Sequence, residues 1–172
     1  MAMQQLDEFL ASSEKRAFRM ARFAVGNDAD ALDIVQDAMM KLVENYRDRA
    51  AEQWPPLFYR ILQNRIMDFH RGKKWSWLFS KSANDDDFVL DSAEDSTERP
   101  ADWLSAERMS ADLLAEIEKL PNKQQQCFLL RGWEGLSVKD TAEAMNVTEG
   151  SVKQHYSRAL AKLSGVLEQY DD

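Results

Sequence analysis

The stretch LSVKDTAEAMNVTEGSVKQHYSRALAKL, residues 136–163, decides how this chain is read. Ser137, followed three residues later by Asp140, resembles a capping box with Asp in place of the usual Glu and opens a short helix through Met145. Asn146-Val147-Thr148 supplies a turn, and Thr148 can cap a second helix from Glu149 to about Leu167. Val152, Ala159, Leu160, Leu163 and Val166 give that helix an apolar face. Ala142 is small, as a close helix crossing requires. The outward residues Ser151, Lys153, Gln154, His155, Ser157 and Arg158 are donors and acceptors able to reach base edges and phosphates in a major groove. The pattern is that of a helix-turn-helix with a recognition helix. A plain helical hairpin is the alternative, but it does not need the small residue, the three-residue turn and the one-sided basic residues together.

Working outward, the rest of the chain carries helical periodicity as well. Leu6, Phe9, Leu10, Ala17, Met20, Ala21 and Ala24 recur at steps of three and four, as do Leu32, Val35, Met39, Leu42, Val43 and Tyr46. Gly26-Asn27-Asp28 separates the two helices. A third is expected from about Leu57, after Pro55-Pro56, through Phe58, Ile61, Leu62, Ile66 and Phe69 to Gly72. Further helices are expected from Trp103 to Leu120, closed by Pro121, and from about Lys123 to Trp133. No segment alternates with period two, so the expected class is all-α.

Charge divides the chain. Lys plus Arg number 22 and Asp plus Glu 30, a net charge of −8, which argues against an indiscriminate polyanion binder. Residues 1–80 carry a net +1, residues 81–112 a net −7 and residues 113–172 a net −2, so any nucleic-acid contact must be local. The acidic stretch KSANDDDFVLDSAEDSTERPAD, residues 81–102, has few periodic apolar residues and reads as a flexible linker. The expected organisation is a helical domain at 1–80, the linker at 81–102 and a helix-turn-helix domain at 103–172. Twenty-two linker residues span at most ~75 Å extended and ~26 Å root-mean-square if flexible.

Several function classes are excluded. The single Cys127 and two distant histidines allow neither an internal disulfide nor a Cys/His metal site. Cys127 lies among Phe128, Leu129 and Leu130 and reads as core rather than redox sensor. No nucleophile-base pair or Gly-rich phosphate loop appears, so neither catalytic residues nor a cofactor are expected. No apolar run of about 18 residues occurs, so no stable membrane insertion is expected, and the start of the chain lacks a secretory signal pattern. A cytoplasmic location is expected.

The residues quoted so far resemble a known family, the extracytoplasmic-function sigma factors of bacterial RNA polymerase, over nearly the whole chain. Residues 120–163, LPNKQQQCFLLRGWEGLSVKDTAEAMNVTEGSVKQHYSRALAKL, resemble sigma region 4, which binds the minus-35 promoter element and the polymerase flap. The resemblance implies minus-35 contacts from Thr148, Ser151, Lys153, Gln154, His155 and Arg158. The family usually has Thr, Ser and Arg where this chain has Ser151, Gln154 and His155.

DADALDIVQDAMMKLVENY, residues 28–46, resembles region 2.2, which docks on the polymerase clamp helices; Asp30, Asp33, Gln36, Asp37 and Lys41 fall on its pattern. Helical spacing puts Asp30, Asp33 and Asp37 on one acidic stripe, complementary to a basic partner. LFYRILQNRIMDFHRGKK, residues 57–74, resembles regions 2.3 and 2.4 and implies minus-10 contacts from Tyr59, Arg60, Asn64, Arg65, Asp68, Arg71, Lys73 and Lys74. Promoter opening needs cations for phosphates and planar groups for an unstacked base. Trp54, Tyr59, Phe69, Trp75 and Trp77 are nearby candidates for the latter, although for each taken separately core packing is the favoured role. The family usually places Trp where this chain has Leu57.

The expected function is that of a bacterial alternative sigma factor, which binds core RNA polymerase, recognises minus-10 and minus-35 promoter DNA and helps open it, without being an enzyme. The family is commonly held inactive by an anti-sigma factor, so the resemblance implies one here. A stand-alone DNA-binding regulator with a helical oligomerisation domain, and a helical adaptor for a protein partner, are the alternatives.

Overall fold

The computed structural model describes residues 2–80 and 111–168. The acidic linker at 81–102 and the start of the helix expected from Trp103 lie outside the described residues. Within them every regular element is helical: α1 (Ala2–Val25), α2 (Asp28–Tyr46), α3 (Trp54–Ser80), α4 (Ala111–Lys119), α5 (Asn122–Phe128), α6 (Val138–Met145) and α7 (Glu149–Leu167). A short 3-10 turn, Ala51–Gln53, precedes α3, and α5 runs into a π turn, Leu129–Trp133.

Local signals set the boundaries. Gly26, at φ +90°, takes the left-handed backbone that ends α1. The Asn27 side chain then caps α2 by accepting from the Asp30 N–H at 2.8 Å, and Arg22 Nε donates to Asp28 Oδ1 at 2.7 Å across the same turn. The loop after α2 is closed by Trp54, whose indole Nε1 donates to the Tyr46 carbonyl at 3.1 Å; Trp54 is thereby a buried structural residue.

Two expectations are corrected. Helix α3 does not stop at Gly72 but continues to Ser80, because Gly72 keeps right-handed helical backbone and offers no left-handed cap. Leu32, counted in the apolar stripe of α2, is 42% exposed; the stripe is centred instead on Ala31, Ile34, Val35, Ala38 and Leu42.

The first three helices pack around Leu6, Met20, Ala21, Val35, Leu42, Phe58 and Leu62, with Phe9 meeting Phe58 edge-on at 5.8 Å. Helices α4 to α7 pack around Ile117, Leu129, Leu130, Val152, Ala159 and Leu163. Burying a side chain such as Leu163 contributes about 1.5–3 kcal/mol. The two halves do not stand apart: α1 packs on α5 and α3 on α6, so one apolar cluster runs through both.

Candidate promoter-reading and polymerase-docking surfaces

The helix-turn-helix forms as its caps dictate. Ser137 Oγ accepts from the Asp140 N–H at 3.0 Å at the start of α6. Asn146 ends it in the left-handed conformation (φ 57°, ψ 48°), and Thr148 Oγ1 accepts from the Ser151 N–H at 3.1 Å to open α7. Thr148 therefore serves as a cap, and its exposure leaves its surface accessible. Val152, Ala159 and Leu163 face inward and are buried, while Lys153, Gln154, Ser157 and Arg158 are exposed together on the outer side. Ser151 and His155 are half-buried at the edge of that face.

His155 sits in a cationic setting. Burial first, and then the positive charges of Lys123 and Arg158, hold its imidazole below the ordinary value, so the ring is neutral at pH 7. Its Nδ1 is buried without a hydrogen-bond partner. Lys123 gives no signal in the sequence, because it lies on α5, more than thirty residues before His155.

On α3, Arg60, Asn64, Asp68 and Arg71 are exposed at steps of three and four, so they share one outward stripe. Arg71 and Arg65 flank Asp68 at 2.5 and 3.8 Å. The side chains of Lys73, Lys74, Trp75 and Trp77 lie outside the described residues. Phe69 is half-buried and meets His70 edge-on. Tyr59 does not join the stripe: it is only 1% exposed, turned inward beneath the C-terminal half. Its hydroxyl donates to Glu134 Oε2 at 2.5 Å; burial, and then the Glu134 carboxylate, push its phenol well above the ordinary value, so it is a neutral donor.

On α2, Asp33 and Gln36 are exposed and Asp30 and Asp37 half-buried on the same side. Asp30 Oδ2 accepts from Asn27 Nδ2 at 2.7 Å, which fixes its carboxylate at the helix start. Asp37 is paired at 2.6 Å with Arg65 of α3 and lies 3.9 Å from Lys41. The stripe is therefore partly neutralised at its C-terminal end, while Asp33 remains solvent-facing.

Cys127 is fully buried, its Sγ 3.4 Å from the Val152 carbonyl, and burial pushes its thiol up to about 11. Among the described residues, no cluster of three or more His, Cys, Asp or Glu side chains could hold a metal ion. Among them, too, no helix is long and apolar enough to cross a membrane.

Comparison with known proteins finds a family match in each half of the chain. Residues 10–76 match the family described as sigma-70 region 2, and residues 110–163 match sigma-70, region 4. The chain is 28% identical over 168 residues to the RNA polymerase sigma-E factor of Streptomyces avermitilis, covering 97% of this chain and 87% of that protein. It is 28% identical over 172 residues to the ECF RNA polymerase sigma factor SigE of Mycolicibacterium smegmatis, covering 98% of this chain and 64% of that longer protein. The fold resembles the sigma factor RpoE of Bartonella quintana, solved in complex with the anti-sigma factor NepR: TM-score 0.70, 23% identity, 96% of each chain.

Proposed function

This chain belongs to the sigma-70 family, as an alternative sigma factor of the extracytoplasmic-function type that recognises promoters, and from that premise we propose how its surfaces divide the work. The exposed face of α7, with Lys153, Gln154 and Arg158 and with Thr148, Ser151 and His155 at its edge, reads the minus-35 element. The outward stripe of α3, with Arg60, Asn64, Arg65, Asp68 and Arg71 continuing toward Lys73 and Lys74, holds minus-10 DNA; Tyr59 joins it only when the two halves part. The acidic side of α2, with Asp30, Asp33, Gln36, Asp37 and Lys41, docks on a basic surface of core RNA polymerase.

The observation that carries this reading is the capped α6–turn–α7 unit, which presents Lys153, Gln154 and Arg158 on a single solvent-facing side of its second helix. Arginine and lysine there supply phosphate and guanine contacts, and glutamine can pair with adenine. The working units are residues 1–80, 81–102 and 103–172. The protein acts in the cytoplasm as a transcription initiation factor and performs no chemistry itself. By analogy with the Bartonella protein solved with NepR, an anti-sigma factor is its inhibitory partner.

Footprinting tests the division of labour. The protein with core polymerase should protect two sites about two helical turns apart; Lys153→Ala with Arg158→Ala should remove the upstream site alone, and Arg60→Ala with Arg71→Ala the downstream one. A symmetric footprint made without polymerase would replace this reading with that of a stand-alone regulator.

A further inference from the structure

Helix α3, the start of α5 and the turn between α6 and α7 meet around a cavity of about 300 Å³. Cavities that hold small organic ligands run from about 300 to 1,000 Å³, so this one has room for a single small molecule. Its wall is apolar, built by Ile66 and Met67 of α3 and by Met145 and Val147 of the helix-turn-helix. Ile66 and Met145 are buried, whereas Met67 is 40% exposed. Gln63 and Gln126 also line it, and both are already engaged: Gln63 Nε2 donates to Gln126 Oε1 at 2.7 Å, and Gln126 Nε2 donates to the Met20 carbonyl at 3.2 Å. What enters is therefore selected by the apolar wall and by the charged rim.

That rim is basic. His70 and Arg71 come to it from α3 and Lys123 from α5, and no carboxylate lines the cavity, although the chain as a whole carries a net charge of −8. Arg71 and Lys123 are exposed and His70 is half-buried. Asn122 Nδ2 lies 3.5 Å from His70 Nε2, so α3 and α5 meet at this edge. Asp68 pairs with Arg71 from outside the lining, and a guanidinium has five donors, so the pair leaves others for a second acceptor. The field of Lys123 reaches His155, whose imidazole it helps to hold below the ordinary value.

We propose that this cavity is a binding site for a small amphipathic organic anion, a single carboxylate on an unbranched apolar body. The carboxylate sits at the rim between Lys123 and Arg71, where charge-assisted hydrogen bonds form, and the body displaces water from Ile66, Met67, Met145 and Val147. At ~30 Å³ for each water-sized group, the volume takes a body of about ten carbons. The apolar wall disfavours a sugar or a nucleotide, whose hydroxyls would lose water there without gaining partners. It disfavours a peptide strand for the same reason, since the backbone N–H and C=O groups would be left unpaired. The site touches Arg71 and the turn of the helix-turn-helix, so its occupant lies beside both elements assigned to promoter DNA; the binding itself does not depend on that assignment.

Calorimetric titration of the full chain with sodium decanoate, kept below the concentration at which it forms micelles, is the test. One saturable site per chain is expected. Each buried methylene should raise affinity about fourfold, so hexanoate should bind at least tenfold more weakly than decanoate. Decanol, which has the same body and no charge, should also bind at least tenfold more weakly. Lys123→Gln, at an exposed position, should lower decanoate affinity about tenfold, the effect of one charge-assisted hydrogen bond. Met67→Trp should fill the cavity and abolish binding; should that variant not fold, Lys123→Gln and the decanol comparison decide alone. Absence of a saturable site, equal affinity for decanol and decanoate, or affinity unchanged by the substitutions would each overturn the proposal. So would an acidic apolar peptide that binds where decanoate does not, which would give the cavity to a protein partner.

Discussion

Arg65 Nε of α3 lies 2.6 Å from Asp37 Oδ2 of α2, tying the acidic side of one helix to the basic stripe of the next. The pair joins a residue assigned to polymerase docking with one assigned to DNA. Both side chains are about a third exposed, so water and salt screen the interaction. Asp37→Ala should therefore lower stability by about 0.5–1 kcal/mol, whereas Asp33→Ala should leave it unchanged. Both should weaken binding to core polymerase. Urea unfolding together with polymerase titration checks this; a stability loss at Asp33 and none at Asp37 would reverse the assignment.

The recognition helix depends on its first turn. Thr148→Ala removes the acceptor for the Ser151 N–H and should cost about 1 kcal/mol, with Thr148→Ser restoring most of it. Asn146→Ala should be destabilising and Asn146→Gly tolerated, since the backbone there is left-handed. Denaturant unfolding midpoints give both comparisons.

Lys153→Ala and Arg158→Ala should each weaken minus-35 binding and reduce the steepness of its salt dependence by about one unit, as expected for a lost phosphate contact. Transcription from a promoter lacking its upstream element should change little. Binding measured between low and physiological salt would show this, and an unaltered salt slope would remove those side chains from the DNA face.

His155 adds a pH dependence. Its folded-state value is held below the ordinary 6.5, so the unfolded chain binds the proton more readily. Stability from this group is fully present above pH 6.5 and is lost as pH falls below it. DNA phosphate beside α7 should oppose the repulsion from Lys123 and Arg158 and raise the value again, so DNA binding should strengthen as pH falls from 7 toward 6. His155→Gln should abolish both trends, which paired unfolding and binding titrations would reveal.

Cys127 should resist alkylation in the native protein and react only in denaturant, because its thiol is buried and its ionisation is pushed up to about 11. Rapid modification at neutral pH without denaturant would show that the C-terminal core opens readily.

How much of this was legible in the sequence follows from the range of the forces involved. The helix-turn-helix was readable because its determinants are local: Ser137 caps over three residues, Asn146 turns the chain and Thr148 caps again. The length of α3 was not, because Gly72 ends a helix only if its backbone turns left-handed, and composition does not reveal that. Leu32 was misplaced because the alanines at 31 and 38, which mark the true centre of the buried stripe, carry a weak hydropathy signal. The packing of the two halves on each other was invisible. Gln63 and Gln126 read as ordinary polar helix positions, and Tyr59 finds Glu134 across 75 residues of chain. The only local hint was a glutamate set beside a tryptophan, between Trp133 and Gly135.

The most direct test of the central claim is run-off transcription of genomic fragments by core RNA polymerase with and without this protein. New transcripts that appear only with the protein, and that fall away with Asp33→Ala and with Lys153→Ala, are the expected result. Saturating protein that neither binds core polymerase nor adds any transcript would contradict it.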